Sequence, residues 1–352
     1  MNAKARILYS QLLNAAELSA LSEAPSLAVL VDALKRTAYG HDLDSLKDRE
    51  PTKEAITRAL KGRLAATYQS IMQTATNPAR RVILQLYRRY ELNNLKAVLR
   101  GLAVGSGPGS EGGLWNRVSN LLFPYGPGTV LPAERMIESG TVAAAVELLR
   151  GSDYYDVLIS ALKRYNAEQS LFPLEVALDL HYWRRLWQET LNLQGLDQSQ
   201  AMRIIGSLVD ITNLMWAIRY RVYQQLSEEE LINYTLPFGY RLRDQDIRSV
   251  AAGADIGAVV ARLYPAVQDA AALLSDLRRG LPLLEAELKR HVIRQCQAAF
   301  VGNPFHVGVP LAYLVLHDLE IHDLVLFLEA KDSGLAAESY EPFVLRASVV
   351  AG

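Results

Sequence analysis

The sequence has a single cysteine and no large excess of charge of one sign. Cys296 can form neither an internal disulfide nor a metal cage of several thiolates, and we expect it to be a buried apolar residue. Lys and Arg together number 37 against 38 Asp and Glu, so the surface lacks the strong positive field that recruits nucleic acid or anionic lipid. We therefore predict no nucleic-acid partner.

Long apolar runs are also missing. The longest, from Val307 to Leu316, is shorter than the ~20 residues that cross a bilayer, and Pro310 interrupts it. The opening residues, MNAKARILY, contain no sustained apolar segment that ends in a cleavage site for secretion. The expectation is a cytoplasmic protein without a membrane span of its own, which reaches a membrane only through a partner.

Patterns that carry catalysis or bind metals are scarce. The glycine-rich run Gly105–Gly113 is followed by Leu-Trp, whereas a phosphate-binding loop continues with Gly-Lys-Ser/Thr. His317 and His322 are five residues apart, so on a helix they point ~140° away from each other and cannot share an ion. The sequence also lacks Asp-Asp-x-x-Asp, Gly-x-Ser-x-Gly and Cys-x-x-Cys. We expect no catalytic residue, cofactor, metal or small-molecule substrate.

Helical periodicity is what the chain does contain. Apolar residues return every three or four positions in eight segments, while the alternation typical of strands is rare. Ser227-Glu-Glu-Glu230 is a capping box, and Pro51, Pro173 and Pro282 are each expected near a helix start. These signals predict an all-α fold. The eight segments are residues 3–13, 26–34, 55–71, 82–99, 142–149, 174–186, 202–222 and 311–328.

The chain also repeats itself. Residues of the same kind lie 110 positions apart in four pairs, which are Tyr154 and Tyr264, Glu175 and Glu285, Asp210 and Glu320, and Leu214 and Leu324. The first third joins with offsets of 115 and 119, since Tyr39 parallels Tyr154 and Glu91 parallels Asp210. A unit of this length is a small helical domain rather than a solenoid repeat. The alternative is a chance self-alignment of helices rich in Leu, Ala and Glu.

We predict three helical units and one connection between the first two. Unit 1 spans residues 1–104, the glycine-rich connection 105–128, unit 2 residues 129–224 and unit 3 residues 225–352. Each unit would contain an Ala-rich helix that ends at the repeated tyrosine, a middle helix and a last helix with the motif acid-x-x-Asn/Asp-Leu. Glycine raises the backbone entropy cost of a helix, which favours a flexible connection at 105–128.

The motif of the last helix is the polar pattern that recurs in all three units. In unit 1, Glu91, Asn94, Leu95 and Val98 fall at i, i+3, i+4 and i+7, which places the carboxylate and the amide on an apolar helix face. The corresponding residues are Asp210, Asn213 and Leu214 in unit 2, and Glu320 and Asp323 in unit 3. These polar groups either hydrogen-bond to neighbouring helices and fix their packing, or line a cavity or contact surface shared by the units.

Two segments resemble a known family. RRYELNNLKAVLR at 88–100 is similar to the first-unit signature of the V-type/A-type ATPase central-stalk subunits called C in prokaryotes and d in eukaryotes. NPFHVGVPLAY at 303–313, followed by EIHDL at 320–324, resembles that family's Pro-Phe-x-x-Gly … Leu-Ala-Tyr … Glu-Ile-Arg-Asn-Leu ending. This chain departs from the family by having His322-Asp323 in place of Arg-Asn, and its glycine-rich insertion is longer. With the repeat between the two segments, the resemblance covers nearly the whole chain.

The site candidates are the residues that carry this resemblance or its repeats. They are Tyr90, Glu91, Asn94, Leu95, Arg100, Asp210, Asn213, Leu214, Arg219, Pro304, Phe305, Gly308, Tyr313, Glu320 and Asp323. Each is a candidate for packing or for an interface, and none is expected to be catalytic.

The resemblance implies a funnel of three similar three-helix units around a pseudo-threefold axis. One opening would rest on the membrane rotor ring of proteolipids, and the other would receive the central shaft formed by the D and F subunits. The chain would couple ATP synthesis or hydrolysis to proton or sodium transport as a non-catalytic, peripheral subunit on the cytoplasmic face. Phe305 would lie in a turn that either packs beneath unit 3 or meets a partner.

Two other hypotheses stay open, a helical scaffold or adaptor unrelated to ATPases and an all-α enzyme that uses the polar motif.

Overall fold

Helices make up the regular structure of the chain. The computed structural model describes residues 1–44, 46, 52–105, 113–124, 129, 131–224, 226–267 and 270–346, and these contain no β-strand, which confirms the all-α prediction. The α-helices are α1 (Asn2–Tyr9), α2 (Ala15–Ser22), α3 (Leu27–Lys35), α4 (Gly40–Asp44), α5 (Lys53–Met72), α6 (Asn77–Gly105), α7 (Leu114–Ser119), α8 (Ala133–Glu138), α9 (Val142–Glu147), α10 (Tyr155–Glu168), α11 (Phe172–Leu191), α12 (Gly195–Arg219), α13 (Glu228–Asn233), α14 (Asp244–Ala251), α15 (Ile256–Leu263), α16 (Ala270–Ser275), α17 (Leu277–Ala298), α18 (Gly308–Asp332) and α19 (Ala337–Tyr340). A π-helical turn, Tyr220–Gln224, continues α12, and a 3₁₀ turn, Glu341–Phe343, follows α19.

Local sequence signals place the longest of these helices except α17. Each of the eight predicted segments overlaps a helix, and the capping box at Ser227 forms as expected, with the Glu230 amide donating to the serine hydroxyl. The prediction for Pro282 is wrong, because this residue lies inside α17. The helix begins earlier because the Asp276 side chain accepts hydrogen bonds from the first amides. Pro51 lies outside the described residues.

Two compact units make up the chain. The first comprises residues 1–79 and 190–352, and the second comprises residues 80–189. The predicted division into three repeats is a different one and remains a prediction. Helix α7 forms within the segment 105–128 that we expected to be a connection, while residues 106–112 and 125–128 of that segment lie outside the described residues.

The core of the first unit surrounds α18. This helix packs against α1, α3, α5, α12 and α17, and its apolar opening residues, including Leu311, Leu314 and Leu316, are buried. A helix that is apolar on all sides is stable only when neighbours cover every side. The long apolar stretch noted in the sequence is therefore the centre of the core.

A second long helix in this unit has the length and composition of a membrane span. Residues 195–224, which comprise α12 and its π-helical turn, are the one such helix in the described part of the chain. In the apolar window of this helix, 72% of the residues are buried inside the protein, and the core helix of a soluble protein meets the same criteria. The composition of α12 is thus weak evidence for a span.

In the second unit, α6 and α11 lie side by side. Lys96 forms an ion pair with Asp179, and the Tyr182 hydroxyl donates to the Leu86 carbonyl oxygen at 3.4 Å. Helices α7 to α10 complete this unit, and buried residues of α9 such as Val146 supply part of its core. This pairing positions the first copy of the repeated polar motif.

Candidate functional site

The repeated motif lies on three long helices, and its polar members are buried. They are Glu91 and Asn94 on α6, Asp210 and Asn213 on α12, and Glu320 and Asp323 on α18. A buried polar group without a hydrogen bond costs roughly 1–3 kcal/mol. The partners of these six side chains therefore show what the motif does.

The asparagine of the motif fastens the loop that follows its own helix. Asn94 donates from Nδ2 to the Phe123 carbonyl oxygen at 2.9 Å and accepts from the Phe123 N–H at 2.7 Å. Asn213 makes the same two bonds with Leu236, at 2.6 and 2.8 Å. One side-chain amide thus satisfies both backbone groups of one buried loop residue. In these two copies the amide bonds to a loop residue, whereas the packing hypothesis from the sequence placed its partner on a neighbouring helix.

Asp323 also binds the segment that follows its helix, but it does so with a carboxylate instead of an amide. A carboxylate has no hydrogen to donate, and its two oxygens instead accept from two successive amides, Leu345 N–H at 2.9 Å and Arg346 N–H at 2.7 Å. The replacement of the family's Asn by Asp at this position is accommodated because the C-terminal segment offers two donors. The motif still ties the helix to the chain that follows it.

The acid of the motif meets the repeated tyrosine of the next repeat. The Tyr154 hydroxyl donates to Glu91 at 3.0 Å, and the Tyr39 hydroxyl donates to Glu320 at 2.7 Å. Because Glu320 belongs to the last repeat and Tyr39 to the first, the second of these bonds joins the two ends of the chain within the first compact unit. Glu320 also accepts from the Leu13 N–H at 2.9 Å and pairs with the Arg346 guanidinium.

The middle copy departs from this pattern. Asp210 is one methylene shorter than glutamate and accepts from the Tyr240 and Arg241 amides at 2.8 and 2.6 Å. The hydroxyl of Tyr264, the repeated tyrosine here, is buried without a hydrogen-bond partner among the described residues. The Asp210 carboxylate is nevertheless close enough to contribute, after burial, to raising the pKa of Tyr264. The two groups are neighbours that make no direct bond.

An ion pair accompanies each copy of the motif. Nine residues after the acid, Arg100 binds Glu175 at 2.6 Å and Arg219 binds Glu285 at 2.5 Å. At the same motif position in the third copy stands Glu329, and it binds Lys53 at 2.8 Å. The same three elements thus recur: acid, amide or carboxylate, and ion pair.

Burial sets the charge state of the titratable groups around the motif. Burial raises the pKa of Asp210 to about 6, against the opposing effect of the amides that bind its carboxylate. His317 lies next to the third copy and stacks on Tyr313, with ring centroids 5.6 Å apart. Burial lowers the pKa of His317 to about 3, and the nearby Arg63 and Arg346 add to this effect. The imidazole is therefore neutral at pH 7.

The remaining candidates divide into core residues and one exposed turn. Leu95, Leu214 and Tyr313 are fully or almost fully buried, and Tyr90 stacks on Phe123 with centroids 4.1 Å apart. These side chains support the motif helices from within their own units. Two surface pockets in the described part of the chain are lined by other residues.

Phe305 lies in the exposed turn before α18. Its side chain is 81% exposed, so the expectation that it packs beneath unit 3 is wrong, and the alternative of a partner contact remains a prediction. Pro304 beside it is half-buried. Gly308 begins α18 where a Cβ atom would lie 2.8 Å from Gln200 Cβ, so a larger residue would force the two helices apart.

Several residues of the site were not chosen from the sequence. Glu329 could have been found by counting nine residues from Glu320, as Arg100 and Arg219 follow Glu91 and Asp210, once an ion pair of opposite sign was considered. No sequence signal marked Arg346. Among the described residues no group of three or more His, Cys, Asp or Glu is arranged to hold a metal ion.

Comparison with known proteins identifies the family. The family model described as ATP synthase (C/AC39) subunit matches residues 1–342. The chain belongs to this family. The resemblance seen at 88–100 and 303–324 is therefore confirmed over nearly the full length.

Curated relatives of similar length carry a consistent name. The C subunit of the A-type ATP synthase from Methanocaldococcus jannaschii is 25% identical over 349 residues, which are 98% of this chain and 85% of the relative. The C subunit from Methanothermobacter thermautotrophicus is 25% identical over 340 residues, or 94% of this chain and 83% of the relative. That of Thermococcus onnurineus is 25% identical over 352 residues, with 97% and 88% covered.

Removal of the three tyrosine hydroxyls tests the acid–tyrosine bonds. Tyr39→Phe and Tyr154→Phe should each lower the free energy of unfolding by about 1.5–3 kcal/mol, because each removes a hydrogen bond to a buried carboxylate. Tyr264→Phe is the matched control, and it should not lower stability but raise it by up to about 1–3 kcal/mol, because its buried hydroxyl has no partner among the described residues. Urea denaturation measures all three. An equal loss in Tyr264→Phe would contradict the difference between the copies.

Exchange of amide for carboxylate tests the loop fastening. Asn213→Asp should destabilise the protein by about 1–3 kcal/mol, since it loses the donor to Leu236 and places an oxygen against that carbonyl. Asp323→Asn should also destabilise, because its new NH₂ group faces an amide donor. Asn166→Asp on the exposed face of α10 is the control, with a change within about 0.5 kcal/mol. Thermal and urea unfolding decide whether the two buried exchanges exceed it.

The buried histidine predicts a loss of stability in acid. The pKa of His317 is about 3 in the folded protein and 6.5 for the free side chain, so its contribution is fully present above pH 6.5 and is lost as the pH falls towards 3. Between pH 7 and pH 5 the wild type should lose about 2 kcal/mol more than His317→Gln. His41→Gln, at an exposed position, should follow the wild type. Parallel urea curves for wild type and His317→Gln at both pH values would refute this assignment.

Proposed function

We propose that this chain is the non-catalytic central-stalk subunit of a V-type/A-type rotary ATPase. It would couple the shaft formed by the D and F subunits to the proteolipid rotor ring, so that ATP synthesis or hydrolysis is linked to proton or sodium transport. The observation that carries the proposal is the match of the family model to residues 1–342, together with relatives named as the C subunit of A-type ATP synthase that align over most of their own length. The protein would lie on the cytoplasmic face of the membrane as a peripheral part of the complex.

The internal construction suits a part that transmits torque. Close-packed helices have low compressibility, so they pass a force on with little deformation. Each motif helix is further held by buried hydrogen bonds, such as Asn94 to Phe123 and Glu320 to Tyr39, which have few alternative partners in an apolar surrounding. A motif helix that slid would leave these groups unsatisfied. The buried bonds therefore favour one rigid arrangement within each compact unit.

The order of the acid–tyrosine neighbours is what a pseudo-threefold funnel, as part of the proposal, would require. Each acid lies next to the tyrosine of the following repeat, and the last acid lies next to the tyrosine of the first. Glu91 with Tyr154, Asp210 beside Tyr264 and Glu320 with Tyr39 follow this cyclic order. Such a funnel would have one opening for the shaft and one for the ring.

Phe305 is our candidate for direct contact with a partner. Aromatic residues are enriched in protein interfaces and frequently serve as their energetic anchors. This side chain is exposed, and it lies in the short turn that leads into α18, the central helix of the first unit. A force applied to the turn would pass directly to the core.

Purification of the complex tests the function as a whole. The tagged chain would be isolated from gently solubilised host membranes, and the accompanying proteins would be quantified by mass spectrometry. We expect the D and F subunits of the shaft and the ring proteolipid at fixed stoichiometry. Recovery of the chain without them would instead support a helical scaffold or adaptor unrelated to ATPases.

Substitution of Phe305 tests the contact. Phe305→Ala should reduce the co-purified ring or shaft subunits by about tenfold, as loss of an interface anchor does, and should leave the melting temperature nearly unchanged because the side chain is exposed. The control is Leu335→Ala, an exposed apolar residue just beyond the other end of α18. A lower melting temperature without weaker association would show that Phe305 has a structural role.

A further inference from the structure

The three copies of the motif differ in the sign of their ion pairs. We call the contact of a motif helix with the helix that receives it a junction: α6 with α11, α12 with α17, and α18 with α5. In the first two junctions the motif helix carries the cation, Arg100 or Arg219, and the receiving helix carries glutamate. In the third junction the receiving helix carries the cation, Lys53, which binds Glu329 at 2.8 Å and Asp332 at 3.1 Å.

The tyrosine and loop contacts of the motif do not separate the third junction from the first. Both place a glutamate of the motif helix on a tyrosine hydroxyl, and both fasten a loop three residues further along the helix. Apolar side chains fill the core around all three motifs. The sign of the ion pairs does separate them, since Lys96 on α6 also pairs with Asp179 on α11, whereas the cation of the third junction, Lys53, lies on the receiving helix.

The third junction is also the one that forms across the longest stretch of chain. The Tyr39–Glu320 hydrogen bond joins residues 281 positions apart, whereas the Tyr154–Glu91 bond of the first junction spans 63. Contacts between distant residues form late because closing a long loop is entropically costly. Before α5 and α18 pair during folding, each can pack against the wrong helix, either from a related repeat or from a second copy of the chain.

We propose that the reversed ion pair is a recognition device by which the last motif helix selects the first receiving helix over the other two. Correct pairing brings Lys53 to Glu329. Pairing of α18 with α11 or α17 would place Glu329 against glutamate, and pairing of α6 or α12 with α5 would place arginine against Lys53. Each wrong junction both loses an attraction and gains a repulsion.

The local geometry strengthens this discrimination. Lys53 is one of the less exposed members of these pairs, with 19% of its side chain accessible, and it meets two carboxylates. Glu329 and Asp332 lie one helical turn apart, so both face the same receiving helix. Single exposed ion pairs are weak, but specificity depends on the difference between right and wrong partners. Attraction lost and repulsion gained together amount to roughly tenfold in favour of the correct junction.

Exchange of the charges at the third junction tests whether the ion pair selects the correct helix or only stabilises the folded protein. The full chain is unfolded in urea and refolded, and the ratio of monomer to oligomer and aggregate is measured by size exclusion with light scattering. Lys53→Glu places three acids together and should lower this ratio about tenfold. The decisive variant combines Lys53→Glu, Glu329→Lys and Asp332→Lys, which restores attraction but gives the third junction the polarity of the other two.

Recognition and stabilisation predict different results for that triple variant. If the sign of the pair is used for recognition, its folded monomer should melt close to the wild type while its refolding ratio stays about tenfold low. A refolding ratio equal to the wild type would overturn the proposal, since only the attraction would then matter. This test is independent of the proposed function, because it requires no other subunit.

A reciprocal variant decides the matter should the triple variant give no monomer. Lys96→Glu and Arg100→Glu, combined with Asp179→Lys and Glu175→Arg, reverse both ion pairs beside the motif in the first junction, while Lys53 and Glu329 stay unchanged. Recognition predicts a refolding ratio reduced by about tenfold, because α6 and α18 now present the same sign. A ratio equal to the wild type would again overturn the proposal.

Discussion

The structure depends on one constraint: a polar group placed on the apolar face of a buried helix must find a hydrogen-bond partner. Apolar contacts alone tolerate small rotations and shifts of a helix, whereas an unsatisfied carboxylate or amide is penalised in almost every alternative position. Asn94 and Asn213 each satisfy both backbone groups of a single loop residue. The position of each motif helix relative to the loop that follows it is therefore fixed by hydrogen bonds as well as by packing.

The same constraint joins the ends of the chain in the first compact unit. Glu320 lies between the Leu13 amide, the Tyr39 hydroxyl and the Arg346 guanidinium, so residues from both ends of the sequence converge on one carboxylate of α18. Breaking a buried pair by removing one partner is costly because it leaves an uncompensated charge. This network makes the two ends of the chain interdependent within the first compact unit.

In each copy the motif binds its helix to other parts of the chain, but the hydrogen-bonding groups differ between the copies. Asp210 reaches loop amides where Glu91 and Glu320 reach a tyrosine, and Asp323 takes two amide donors where Asn94 takes one donor and one acceptor. Each change is matched by a change in the partner offered. Substitution within the motif is therefore limited by hydrogen-bond complementarity more than by residue type.

The sequence by itself determined eight of the helices, the capping box at Ser227, the spacing of the repeated residues and the family, because these follow from local periodicity and from residues at fixed spacing. It also pointed to Glu91, Asn94 and their counterparts as buried polar groups. Only the tertiary structure decided which tyrosine bonds to which acid and that Arg346 pairs with Glu320 in the third copy of the motif. It also decided that Phe305 is exposed and that Pro282 lies inside a helix. The physical reason is that helical periodicity specifies which face of a helix is buried, while the partner of each buried group is chosen by contacts between residues far apart in the chain.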